Sequence, residues 1–260
     1  MKAFIPLILA SVAFSSPIYP ISSKEIETAP KLDTRETGTI AKEFTRGGCR
    51  DVIFIFARGS VETGNMVSCP SRLGCATALR RPYSHSSTTS DGADVKAFHQ
   101  GSTVGPPTSD GLKKKYGDNR VATEGVDYAA ALTPNFLPGG ADPDGVATMR
   151  KLLNDAASKC PNAKLVAGGY SQGAAVAHRS IESLSDSTKN RILGVITYGD
   201  TQNTQDKGQI PKFPKDRVKI ICNDADEVCK GTLEVEPSHL DYVKRVPEAV
   251  DFLIGKIGNI

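Results

Sequence analysis

Two hydrophobic patterns alternate along this chain. Continuous apolar and β-branched runs occupy residues 51–58, 120–126, 164–170, 191–198 and 216–222. A run without polar alternation suits a strand buried on both faces of a parallel sheet. Between these runs, helical character is read over residues 107–116, 142–159 and 174–184, with a closing helix from about 240 to 257. The segment 142–159 places Val146, Met149, Leu152, Leu153 and Ala156 at helical spacing behind an Asp-Pro-Asp-Gly start. Strands alternating with helices predict an α/β fold, a three-layer α/β/α sandwich around a central, mainly parallel five-stranded sheet.

Three stretches break this rhythm. Residues 1–15 carry Lys2, a short apolar run and small residues at Ser11, Ala13 and Ser15, the layout of a secretory signal. Residues 16–46 are polar and charged, with no run fit for a core, and are expected to be a flexible lead-in or propeptide. The folded domain then spans 47–260. Residues 67–100 lack aliphatic periodicity and hold Arg80-Arg81-Pro82 and a serine-rich tract. A loop of that length inside a compact α/β unit needs a special reason. Deleting it joins Met66 to Gly101 in a sensible loop entering the next helix. Val67-Ser68 can be encoded by GTGAGT and Gln100 by CAG, sequences found at intron edges, so the segment is expected to be a retained intron. The rival reading is a genuine lid closed by Cys69–Cys75.

Composition narrows the partners. The early apolar run is too short to span a bilayer and no later segment is long enough, so no transmembrane anchor is expected. The formal charge is +3; removing Lys2, and the four basic and two acidic residues of 67–100, leaves the working domain near neutral. A basic-patch case for nucleic-acid or membrane binding therefore fails. Lys113-Lys114-Lys115 is expected to be a solvated helix face. Export to an oxidising compartment implies that the cysteines pair.

Candidate chemistry sits where the run 164–170 ends. Gly169-Tyr170-Ser171-Gln172-Gly173 follows a strand and precedes a helix, the context that gives a G-x-S-x-G elbow its meaning. Residues two before and two after the serine must lack bulk because the backbone there is strained. Such a turn lifts the Ser171 hydroxyl above the sheet. It also puts the Gln172 N–H at a helix N-terminus, facing a developing oxyanion. The polar turn 58–64 lies at the carboxyl end of the first strand, so Ser60 is a candidate second oxyanion donor, a plain helix cap being the alternative.

A serine nucleophile needs a base, and the base needs an orienting acid. His85 and His99 fall within 67–100. His178 is seven residues past Ser171 on the same helix, about 10 Å along the axis, and is read as a surface or satisfied core histidine. His239 remains as the base. Asp186, Asp200, Asp206, Asp216, Asp224 and Asp226 lie between Ser171 and His239, where the acid should fall. Asp226 is favoured because Cys222 and Cys229 bracket it just after a strand, with Asp200 next. Closing that small ring is worth about 2.5 kcal/mol, and a Cys49–Cys160 bridge across the domain about 4–5 kcal/mol.

With these residues in place, the chain resembles the fungal cutinases, serine esterases of the α/β-hydrolase fold. The matching stretches are DVIFIFARGSVETGN (51–65), LVAGGYSQGAAV (165–176), CNDADEVC (222–229) and residues 237–240. The resemblance implies a Ser171–His239–Asp226 triad, an oxyanion hole of Ser60 and Gln172, and Cys49–Cys160 and Cys222–Cys229 bridges. It also implies two apolar substrate-binding loops, one with Leu132, Phe136 and Leu137, the other with Leu233 and Val235. The implied protein is a secreted, extracellular monomer needing no metal or cofactor. Its implied substrates are cutin, a hydroxy fatty acid polyester, and short-chain esters, cleaved through an acyl-enzyme. Thr133-Pro134-Asn135-Phe136 is bulkier than expected, and Glu234, Glu236 and Ser238 make the histidine loop more polar, which bears on chain-length preference. An acetylxylan esterase is the nearest alternative, and a catalytically silent secreted surface-binding or elicitor protein the alternative from another class.

Overall fold

The computed structural model describes residues 37–66 and 104–260. The expected signal at 1–15, the lead-in up to residue 36, and the segment 67–100 with Cys69, Cys75, His85 and His99 lie outside the described residues. In chain order the elements are α1 (Glu43–Gly47), β1 (Val52–Ala57), α2 (Gly105–Tyr116), β2 (Val121–Gly125), α3 (Pro143–Lys159), β3 (Lys164–Tyr170), α4 (Gln172–Glu182), α5 (Asp186–Arg191), β4 (Ile192–Tyr198), β5 (Val218–Ile221) and α6 (Val246–Ile257). The strands form one five-stranded sheet in the order β2-β1-β3-β4-β5, every pair parallel.

The continuous apolar runs follow from this topology. β1 lies between β2 and β3 and is buried at every position. Its period of two sends Ile53, Ile55 and Ala57 to one face and Val52, Phe54 and Phe56 to the other. Met149 and Leu153 of α3, with Val176 and Ile181 of α4, cover the first face. Leu112 of α2, with Val250 and Leu253 of α6, covers the second. The result is the expected three layers.

Helix ends follow local chemistry. Asp142 caps α3, its Oδ1 accepting the N–H groups of Asp144 and Gly145 at 2.9 and 3.1 Å, with Pro143 as the first helical residue. The closing helix starts at Val246, not near residue 240. Pro247 fits only a first helical turn, so two 3-10 turns, Pro237–Leu240 and Val243–Arg245, precede it. The sequence pattern gave no sign of the short α5, which Ser185 caps by accepting the Thr188 N–H.

Two charged segments pack more closely than their composition suggests. The described part of the expected lead-in, from Thr37 to Arg46, lies on the domain, with Thr37, Ala41 and Phe44 buried. Thr37 shares a hydrogen bond with Ser109 at 2.8 Å, and the Thr45 N–H and hydroxyl donate to Glu124 at 3.0 and 2.8 Å. Polar partners hold this stretch, and hydropathy does not register them. Lys113 is likewise no solvated residue. It is only 7 % exposed and pairs with Glu43 at 2.6 Å and Asp118 at 3.7 Å, while Lys114 and Lys115 face water. Cys49–Cys160 and Cys222–Cys229 are disulfide-bonded. Among the described residues, no helix is long and apolar enough to cross a membrane.

Candidate active site

β3 runs directly into Ser171, whose backbone sits at φ +54°, ψ −120°. A non-glycine residue there is strained, and such strain persists only where the surroundings over-determine it. The surroundings here are two glycines and a neighbouring strand. A Cβ on Gly169 would collide with the Gly173 carbonyl, and one on Gly173 with the carbonyls of Ala57 and Arg58. The Ser171 N–H donates to the Tyr198 carbonyl at 2.9 Å, tying the elbow to β4.

The elbow meets the two side chains expected from the sequence. His239 Nε2 lies 3.0 Å from Ser171 Oγ, and His239 Nδ1 lies 2.9 Å from Asp226 Oδ2. A carboxylate only accepts, so Nδ1 carries the hydrogen and Nε2 turns its lone pair to the serine. Asp226 Oδ2 also accepts the Tyr242 hydroxyl at 2.6 Å, and Oδ1 accepts the Val228 N–H at 3.0 Å. Burial pushes the Asp226 carboxyl up. Hydrogen bonds from His239 and Tyr242, the imidazole's charge and the Val228 N–H outweigh it and hold the group below its ordinary value. It therefore stays ionised and can stabilise an imidazolium. Tyr170 stacks on the His239 ring at 5.3 Å and donates its hydroxyl to the His239 carbonyl at 2.8 Å. The Asn223 side chain donates to the Ser238 carbonyl at 2.7 Å and Ser238 donates to the Ala225 carbonyl at 2.8 Å, joining acid loop to base loop.

Ser60 lies three residues beyond the end of β1. Its hydroxyl accepts from Asn135 Nδ2 at 2.9 Å. Gln172 is the first residue of α4, so its N–H has no intrahelical carbonyl to bind. Its side chain donates to the Ala131 carbonyl at 2.8 Å. The Ser60 loop is knitted shut. Arg58 donates to the Glu62 and Tyr128 carbonyls at 2.8 and 2.6 Å, and the Gly59 N–H donates to the Glu62 carboxylate at 2.7 Å. A nucleophile–base–acid relay of this kind is an arrangement suited to acyl transfer.

Comparison with known proteins agrees with this chemistry. The cutinase family model matches residues 91–257. Cutinase CUT2 of Pyricularia oryzae is 39 % identical over 229 residues, 88 % of this chain and 91 % of that one. The chain belongs to the cutinase family. Probable cutinase 1 of Aspergillus niger is 38 % identical over 253 residues, covering 96 % of this chain and 81 % of its own. Among solved structures, a Trichoderma reesei cutinase in complex with a phosphonate inhibitor superposes with a TM-score of 0.61 at 26 % identity, over 81 % of this chain and 78 % of that one. An acetylxylan esterase superposes with a TM-score of 0.53 at 17 % identity, over 81 % of this chain and all of the other, a likeness of fold alone. This cutinase-family chain is accordingly a carboxylic ester hydrolase.

The remaining candidates divide cleanly in this cutinase-family chain. Leu132, Phe136, Leu137, Leu233 and Val235 are all exposed, Phe136 at 76 %, although side chains of this type are ordinarily buried. Asp200 and Asp206, alternative acids in the sequence, bind His178 instead. Asp186, Asp216 and Asp224 lie on the surface. Asn135 and Tyr242 are the site residues that sequence reasoning missed. Asn135 is 75 positions from the serine it contacts, and Tyr242 is 16 from its carboxylate. No spacing rule connects either pair; only the folded loops do.

Proposed function

We propose that this cutinase-family esterase is a secreted, extracellular enzyme that cleaves ester bonds of cutin and of short-chain esters through an acyl-enzyme. One observation carries the reading: the relay from Ser171 Oγ to His239 Nε2 at 3.0 Å and on from His239 Nδ1 to Asp226 at 2.9 Å. In the proposed cycle, Ser171 Oγ attacks the ester carbonyl carbon as its proton passes to His239 Nε2, and Asp226 steadies the imidazolium. The carbonyl oxygen, now an oxyanion, accepts the N–H groups of Ser60 and Gln172. Collapse expels the alcohol, which takes the proton from His239, and leaves the acyl group on Ser171. Water then attacks, deprotonated by His239, and the acid departs as Ser171 regains its proton. Every step uses groups of this chain. Leu132, Phe136, Leu137, Leu233 and Val235 would flank the acyl chain of the polyester and leave the site open to it.

The working enzyme, in this proposal, is a monomer that has lost residues 1–15 on export and never contained 67–100. Supporting the second point, the flanks of that segment meet: a Cβ on Gly105 would come within 2.9 Å of the Met66 carbonyl. Sequencing the transcript across codons 60–105 checks the point, and a message carrying the segment refutes it.

The function is tested with purified secreted protein. Expected are fluorophosphonate labelling at Ser171, hydrolysis of p-nitrophenyl butyrate, release of hydroxy fatty acids from cutin, and a folded but inactive Ser171→Ala variant. Turnover of acetylated xylan without cutin would assign the protein as an acetylxylan esterase. A folded protein that the probe leaves unlabelled would be a silent binding protein.

A further inference from the structure

A second histidine–carboxylate constellation is built on α4, the helix that follows Ser171. His178 is wholly buried on α4, and both ring nitrogens face carboxylates: Nε2 to Asp200 at 2.9 Å and Nδ1 to Asp206 at 2.7 Å. A neutral imidazole has one N–H and would turn a lone pair against one of these oxygens. Only the imidazolium donates to both. Burial draws the proton off, but the charge of Asp200 and the bonds to both carboxylates outweigh it, so His178 is raised to about 9. The other charged groups at the cluster are Arg179, which also binds Asp206, and Glu182, which pairs with Arg179 at 3.2 Å. Asp200 is equally buried. Its remaining bonds come from the Thr197 hydroxyl and the Gln202 N–H, each at 2.8 Å.

Asp200 sits between two residues that touch the reacting side of the molecule. Gly199, at φ +51°, is pressed against the base: a Cβ there would come within 2.7 Å of His239 Cε1 and 2.9 Å of Nδ1. Thr201 is buried and points its hydroxyl at the Ser171 carbonyl, 3.4 Å away. The turn 199–201 thus bears on both Ser171 and His239. Its central carboxylate is anchored to the helix that begins one residue after Ser171. We propose that His178 is a positioning residue for the ester-hydrolysing centre, a buried imidazolium that clamps Asp200 and Asp206 to α4 and so fixes the turn 199–201 against nucleophile and base. The effect on turnover rests on the function proposed above; the charge of His178 does not.

The test has two arms, both on the full secreted protein. Histidine nitrogen NMR between pH 6 and 10 is expected to show His178 protonated at both nitrogens at pH 7.5. A single N–H at that pH overturns the proposal. In kinetics with p-nitrophenyl butyrate, His178→Gln is expected to lower kcat about tenfold or more with KM within about twofold, as a misplaced catalytic pair would. A folded variant with wild-type kcat overturns the positioning role. Asp206→Asn keeps an acceptor for Nδ1 and removes one charge. Its kcat at pH 7 should stay within about threefold of wild type, while the pH above which activity falls should move down by about one unit. If His178→Gln does not fold, Asp206→Asn decides, and an unmoved alkaline limit refutes the clamp. If the wild type is not labelled at Ser171 by a fluorophosphonate, the positioning role falls with the proposed function, while the NMR result on His178 stands alone.

Discussion

Tyr242→Phe removes one oxygen from a ring that is otherwise fully buried. That oxygen donates to Asp226 at 2.6 Å and accepts the Asn223 N–H at 2.9 Å. The ring itself stays packed against Tyr170 and Tyr198, each at 6.1 Å, so the packing cost is small. A hydrogen bond to a charged group contributes about 1.5–3 kcal/mol. Asn223 is only partly buried, so water can take over much of its N–H. A loss of about 2–3 kcal/mol follows, or about 4–12 °C in Tm for a domain of this size. Asp226 keeps its bonds from His239 and Val228, so the imidazole remains held. If about half of the lost energy served to orient the carboxylate, kcat/KM falls about tenfold. That is far less than the roughly 10⁴-fold drop when the acid of such a triad becomes an amide. Calorimetry with p-nitrophenyl butyrate kinetics measures both. A variant with Tm within about 1 °C and kcat/KM within about twofold of wild type would refute the idea that Tyr242 supports the acid.

Gly173→Ala should force the elbow away from β1, since its Cβ would meet two carbonyls that cannot give way; overpacking of this kind costs about 1–3 kcal/mol, and urea denaturation should find it alongside slower fluorophosphonate labelling. Asn135→Ala releases the Ser60 hydroxyl and should lower kcat by about tenfold with little change in Tm, read from steady-state kinetics and a melt. Stability should fall on both sides of neutrality. His178 is raised from 6.5 to about 9, so its contribution is complete below 6.5 and is lost as pH rises through 9; Asp226 is lowered, so its contribution is present above its ordinary value of 3.8 and lost as pH falls through the lower folded value. Melts from pH 2 to 10 check this, and a Tm that does not decline between pH 7 and 10 would contradict the buried imidazolium.

The sequence alone determined the strands, the elbow and the acid–base pair. Central strands of a parallel sheet are buried on both faces, so runs such as Val52–Ala57 are visible without any partner in view. The glycines around Ser171 record a steric demand local to the turn, and two cysteines seven residues apart mark the loop that carries Asp226. Folding decided what depends on approach through space. The strand order β2-β1-β3-β4-β5, the inward turn of Lys113, the packing of residues 37–46, the Asn135–Ser60 and Tyr242–Asp226 bonds, and the capture of His178 by two aspartates all join residues on different elements. Polar side chains like these carry no periodic signature, because a hydrogen bond or ion pair needs one partner at one distance, whereas burial of apolar surface needs only a face.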